Sequence, residues 1–84
     1  MVKVEDNNRK NDNDYFEFLK FIHSELPNSI VICYDLAYWT KQFGNTEEAK
    51  KLYKRCLLLN PEHSYAKMRL RLIELEETWG FKNN

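Results

Sequence analysis

Glycine and proline are nearly missing from this chain, with two of each among its 84 residues. Both glycines, Gly44 and Gly80, close helical patterns, so no glycine-rich loop is available to cradle a phosphate. Cysteine is as scarce. Cys33 and Cys56 stand alone, without a CxxC or Cys/His spacing, inside strongly helical stretches. Buried free thiols are the expected state, with a disulfide or metal ligand as the minor alternative, and a reducing intracellular compartment fits best. Net charge is absent too: 13 basic side chains balance 13 acidic ones, and no global field draws in nucleic acid or an anionic membrane. No apolar run approaches the roughly 18 residues of a membrane span. Residues 1–14 lack the apolar centre of a signal peptide. A chain this short buries only roughly 60–65 % of its unfolded surface, which implies a single domain of modest stability.

What is present is helical periodicity. Residues 1–13 are rich in Asn, Asp and Lys and read as a disordered tail, since they offer little apolar surface to offset ordering. The helical domain is expected over residues 14–80, with a short tail at 81–84 that includes Phe81. Asp14 as N-cap and Glu17 three residues later form a capping-box pattern. Phe18, Leu19, Ile22 and Leu26 follow at helical spacing, and Pro27 ends the run. Asn28 or Ser29 opens a second helix through Cys33, Leu36, Ala37 and Phe43 to Gly44. Asn45 with Glu48 opens a third, from Thr46 to about Leu59, broken by Asn60-Pro61. The fourth runs from about Glu62, with Pro61 tolerated at its start, to Trp79, and Gly80 closes it. No period-2 run appears. The expected fold is all-α, four antiparallel helices joined by two to four residues.

Two internal registers emerge. Pro27 and Pro61 lie 34 residues apart and align Tyr15–Pro27 with Ala49–Pro61. The segment Leu36–Gly44 also aligns with Leu72–Gly80, at a spacing of 36. Periods of this size mark helical solenoids, in which each hairpin buries a face on the next.

The stretch Ile30–His63 resembles one tetratricopeptide repeat, whose pattern is Trp-x2-Leu-Gly-x2-Tyr, Ala-x3-Phe and Pro. The matching positions here are Cys33, Leu36, Ala37 and Thr40, then Ala49, Tyr53 and Pro61, with Cys, Ala and Thr replacing Trp, Gly and Tyr. Small Ala37 and Ala49 suit a close crossing of two helices. The segments Ala49–Leu57 and Leu72–Glu76 also resemble the half-a-tetratricopeptide variant found in RNA-processing scaffolds, although its aromatic near Arg69 is missing. The resemblance implies a short α-solenoid whose first helices line a concave groove. That groove would set Val31, Tyr34, Asp35 and Tyr38 beside Tyr65, Met68, Arg69 and Leu72. Co-chaperone members of the family grip a C-terminal carboxylate with Lys and Asn where this chain has Tyr34 and Tyr38, so chaperone tails are not expected partners.

The residues support a partner face independently. Met68, Leu72, Leu75 and Trp79 form one helical stripe, and Ala66, Leu70 and Ile73 form a second. Together they span more than the roughly 100° that a surface helix buries, so one row is expected to stay exposed. Cover by the N-terminal helix or by Phe81 is the alternative. Tyr34, Tyr38 and Tyr65 read either as half-buried packing residues or as a lining for a helix or peptide. Eight cations lie between Lys41 and Arg71 against three acids, among them Lys50, Lys51, Lys54, Arg55, Lys67 and Arg71. They form either a solvated surface, paired in part through Glu47 and Lys51, or an RNA-binding patch.

Chemistry is thinly represented. His23 and His63 have no ligand-spaced neighbour, Glu74, Glu76 and Glu77 read as a wet helix face, and no nucleophile–base arrangement occurs. No cofactor, metal or catalytic activity is expected. The expected function is a scaffold or adaptor that binds a protein helix, a peptide or a second copy of itself. An RNA-associated subunit is the alternative.

Overall fold

The computed structural model describes the backbone of residues 3–79 and the side chains of residues 12–79. The fold is all-α: α1 (Lys3–Glu25), α2 (Ile30–Gln42), α3 (Thr46–Leu59) and α4 (Ser64–Trp79), with no strand among the described residues. Each helix packs on its chain neighbours, α1 on α2, α2 on α3 and α3 on α4, and the α2–α3 interface is the most extensive. The Cα trace measures 44 × 38 × 18 Å. Its short axis accommodates two packed helices, whose axes lie roughly 8–10 Å apart and whose Cα atoms lie about 2.3 Å from each axis, so the molecule is a flat, two-layer stack.

Local chemistry explains the joints. The α1–α2 connection is a turn with Pro27 at its second position, closed by Ser29 N–H to the Leu26 carbonyl at 3.1 Å. The Ser29 hydroxyl caps α2 by accepting the Ile32 N–H at 3.4 Å. At the far end of α2, Gly44 N–H bonds the Lys41 carbonyl at 2.9 Å and Asn45 N–H bonds the Thr40 carbonyl at 3.0 Å. Gly44 has φ +96°. This is the Schellman arrangement, which requires the left-handed backbone that glycine adopts without a Cβ penalty. Asn45 then caps α3, its side-chain oxygen accepting the Glu48 N–H at 3.3 Å. The Asn45 N–H is already spent on Thr40, so only half of the expected capping box forms.

The register of 34 is carried by backbone hydrogen bonds. Leu26 N–H to Ile22 carbonyl, 2.8 Å, repeats as Asn60 N–H to Cys56 carbonyl, 2.8 Å. The Ser29–Leu26 bond repeats as His63–Asn60 at 3.0 Å, and Cys33–Ser29 at 3.0 Å repeats as Lys67–His63 at 3.1 Å. The spacing of 36 has no such counterpart. Leu36 is 5 % exposed in the core whereas Leu72 is 45 % exposed, so the two residues share chemistry and not environment.

The core consists of Leu19, Cys33, Leu36, Ala37, Ala49, Leu52, Tyr53, Cys56, Ala66 and Ile73, with Thr40 as its buried polar member. Ala37 and Ala49 are fully enclosed, and the Cys33 thiol donates to the Leu52 carbonyl of α3 at 3.4 Å. That contact puts an α2 side chain against the α3 backbone.

Two expectations are corrected. The first helix runs from Lys3 to Glu25, so Asp14 lies inside it and does not cap it. No proline or glycine interrupts residues 3–25, so nothing in the backbone stops the helix at Asp14. Pro61 precedes α4 in a turn instead of opening it: Asn60 Oδ1 accepts the Glu62 N–H at 3.1 Å, and the helix starts at Ser64. Its cap is His63, whose Nδ1 accepts the Ala66 N–H at 3.1 Å. The expected helix stop at Gly80 and the tail at 81–84 lie outside the described residues.

Two substitutions probe this architecture. Ala49→Leu forces a larger side chain into the closed α2–α3 contact and is expected to cost about 1–3 kcal/mol, read as a lowered melting midpoint; an unchanged midpoint would refute the close crossing. His63→Ala removes a helix cap and is expected to cost about 1 kcal/mol, with His63→Asn recovering most of it.

Candidate functional site

Helices α2 and α4 run in the same direction because one helix separates them, and the register of 34 brings equivalent positions to the same face. Val31 and Tyr65, Tyr34 and Met68, Asp35 and Arg69, Tyr38 and Leu72 are the equivalent pairs. The two sets meet side by side. Tyr34 lies 6.4 Å from Tyr65 between ring centroids, stacks on His63 at 5.2 Å, and meets Tyr53 edge-on at 5.7 Å. The Arg69 guanidinium sits 5.2 Å from the Tyr38 ring centre, a cation–π arrangement. Between them opens a cleft of about 180 Å³, with Tyr53 and Ile73 at its floor and Tyr38, Lys41, Arg69, Leu72 and Glu76 around it.

The face is apolar and uncovered at its most prominent positions. Val31 is 70 % exposed, Tyr65 64 % and Trp79 67 %, while Met68 and Leu72 are each 45 % exposed. Tyr34, Tyr38, Arg69 and Leu75 are half-buried. The second row of α4 turns inward: Ala66 and Ile73 are buried, and Leu70 packs against the core. Phe81 lies outside the described residues.

The cations divide by environment. Lys41 pairs with Glu76 at 3.4 Å, tying α2 to α4. Lys50 bridges Glu47 at 3.3 Å and Glu77 at 2.9 Å, and these carboxylates raise its basicity, the Glu77 hydrogen bond most. Arg55 binds the Pro27 carbonyl at 3.2 Å and Asn28 Oδ1 at 2.8 Å, which anchors the α1–α2 turn. Lys51, Lys54, Lys67 and Arg71 remain exposed. Lys50 and Arg55 of the basic stretch are thus engaged in internal contacts, a fact the sequence spacing did not reveal.

Other features were also silent in the sequence. The Tyr15 hydroxyl donates to Asp35 at 2.6 Å, and this bond holds the phenol above its ordinary pKa. A second crevice of about 380 Å³ lies between α1, α2 and α3, walled by Phe16, Leu36, Phe43 and Leu52, with Lys20, His23, Thr40, Asn45 and Glu48 also lining it. Phe18 and Phe21 of α1 are exposed. On α4, Lys67, Arg71 and Glu74 occupy the positions equivalent to buried Cys33, Ala37 and Thr40, and all three are exposed. The face on which α2 receives α3 is therefore charged on α4.

Cys33 and Cys56 are both free and fully buried, as their helical setting suggested. Cys56 is pushed up by its hydrogen bond with Cys33 and by burial, whereas the same bond lowers Cys33. Among the described residues no group of three or more His, Cys, Asp and Glu could hold a metal ion. Nor is any described helix long and apolar enough to cross a membrane. Compared with protein-family models, curated proteins and solved structures, the chain matches none.

Tyr53 supplies a pH prediction. Burial, more than its neighbours, raises its pKa, so the phenol stays neutral in the fold after it would ionise in the unfolded chain. Its contribution is full below about pH 10, the unfolded value, and falls as pH rises above it, by up to about 1.4 kcal/mol per pH unit. Alkaline unfolding followed by circular dichroism is expected to be shallower in Tyr53→Phe than in the parent.

Proposed function

We propose that this protein is a non-enzymatic interaction module, a scaffold or adaptor built as a short tetratricopeptide-like stack. It presents the apolar, tyrosine-rich face of α2 and α4 to a partner helix or to a second copy of itself. The observation that carries this reading is the in-register placement of exposed Val31 and half-buried Tyr34 and Tyr38 beside exposed Tyr65, Met68 and Leu72. Large aromatic and aliphatic side chains left in water on adjacent parallel helices form a patch of the kind that partners cover. Tyrosines suit such a surface, since they give rigid contact area with a polar tip. In helix-in-groove recognition the incoming helix brings apolar anchors at i, i+3, i+4 and i+7, and the exposed Tyr65, Met68 and Leu72 of α4 offer apolar surface for such anchors to cover.

The RNA reading has less support. Lys50 and Arg55 are committed to internal contacts, and Tyr53, the aromatic between exposed Lys51 and Lys54, is buried and has no face free for a base. Phosphate binding would show as a steep loss of affinity with salt.

Light scattering of the purified chain at low and high salt, with partner capture in parallel, tests the proposal. Association through the α2/α4 face is expected to survive high salt. Leu72→Asp combined with Trp79→Asp is expected to abolish it while leaving the helical circular dichroism largely intact, because both positions are exposed. Unchanged hydrodynamic size and unchanged partner capture in the double variant would sink the reading.

A further inference from the structure

Among the described residues, the half-buried Lys and Arg side chains follow a rule with one exception. A half-buried charge has lost part of its hydration and needs an anion or strong acceptors in exchange. Lys41 has Glu76, Lys50 has Glu47 and Glu77, and Arg55 has the Pro27 carbonyl and Asn28 Oδ1. Arg69 is half-buried, yet no carboxylate stands within ion-pair reach of it among the described residues, and its Nε is enclosed without an acceptor. Its surroundings hold it in place without neutralising it. The Tyr38 ring lies under the guanidinium, and the Tyr34 hydroxyl raises its basicity. Glu76 lines the same 180 Å³ cleft but is paired with Lys41.

The position of this cation matters as much as its isolation. Arg69 sits between Met68 and Leu72, both exposed, on the face proposed above for docking. A guanidinium stacked on an aromatic ring presents a planar fork matched to the two oxygens of a carboxylate, and a site partly shielded from water strengthens that pairing. The exposed Lys67 and Arg71 are fully hydrated and lack this setting.

We propose that the α2/α4 face selects an amphipathic partner helix carrying an Asp or Glu side chain among its apolar anchors. The carboxylate is received by Arg69 and the flanking apolar residues by Met68 and Leu72. This inference rests on the docking reading and adds the chemistry of the partner. It predicts an acid within the apolar stripe of that helix, where an ordinary hydrophobic face would exclude one.

Two probes test it. The isotopically labelled full chain is titrated with benzoate and with benzamide, and the signals of Tyr38, Leu72, Ile73 and the Arg69 side chain are followed by NMR. Benzoate is expected to shift them at a concentration about tenfold or more below that needed for benzamide. Arg69→Met should erase the preference and Lys67→Gln should leave it. Arg69→Lys, which keeps the charge and loses the fork, should retain only part of it and guards against misfolding of the Met variant. The second probe is a blocked leucine/alanine helix of 16 residues with one central Glu, compared with its Gln twin and with a Gln version ending in a free carboxylate. Tighter binding of the Glu helix supports the proposal. Equal binding of the Glu and Gln helices overturns the acid requirement but leaves docking intact. Preference for the free chain end overturns the side-chain source. If neither probe perturbs the face, the docking reading fails and this inference fails with it.

Discussion

The close approach of α2 and α3 is the contact on which the rest of the molecule depends. Fully enclosed Ala37 and Ala49 leave room for backbone-to-backbone proximity, and the thiol of Cys33 reaches the Leu52 carbonyl across the interface. Apolar atoms close-packed at this distance gain dispersion energy that larger side chains would forfeit by holding the helices apart. Tyr53 and Cys56 extend the interface along α3, and α4 then packs against the same helix through Ala66 and Ile73. Removing the α2–α3 contact would leave α1 packed on α2 and α4 packed on α3, the two halves joined chiefly by side-chain contacts such as Lys41–Glu76 and Arg55–Asn28.

Proline sets the second constraint. Pro27 and Pro61 occupy the same position of two turns that differ by 34 residues, and three backbone hydrogen bonds repeat around each. A proline there fixes φ and supplies no N–H, which suits the second position of a turn and ends the preceding helix. The repeated joint makes α2 and α4 equivalent in direction and face. Side-chain identity then departs from the backbone symmetry. Tyr34 and Tyr38 face the groove from α2, Met68 and Leu72 from α4, and Asp35 is exchanged for Arg69. Asp35 is satisfied by Tyr15, whereas its counterpart is a cation without a partner charge.

Much of this fold could be read directly from residue chemistry, because short-range rules govern the features concerned. Ser29, Asn45 and Gly44 act at helix ends through hydrogen bonds and φ preferences that depend on a few neighbours. The failures have equally local causes. Asp14 looks like a cap, but nothing before it stops a helix. His63 caps through an imidazole nitrogen, which the usual list of Ser, Thr, Asp and Asn does not anticipate. Leu36 and Leu72 match in type and differ in burial, because the apolar pattern alone cannot say which neighbour covers a side chain. The side-by-side placement of α2 and α4 positions was nameable from the register, together with the exposure of Met68, Leu72 and Trp79 on α4. The pairings of Lys50 with Glu77 and of Arg55 with Asn28 were not, since they join residues 27 apart in sequence.

The serial packing of the helices has a dynamic consequence. Because the extensive helix–helix packing joins chain neighbours, the largest interface, α2–α3, is expected to be the last to part. Helix α4 packs chiefly on α3 and is also held to α2 by the Lys41–Glu76 ion pair and the Arg69–Tyr38 contact, with Glu77 bonded to Lys50 of α3. Anything that spans α2 and α4 at once would add to the contacts that already tie α4 to α2. Occupancy of the α2/α4 face by a ligand and cohesion of α4 with the stack would thus be two readings of one equilibrium.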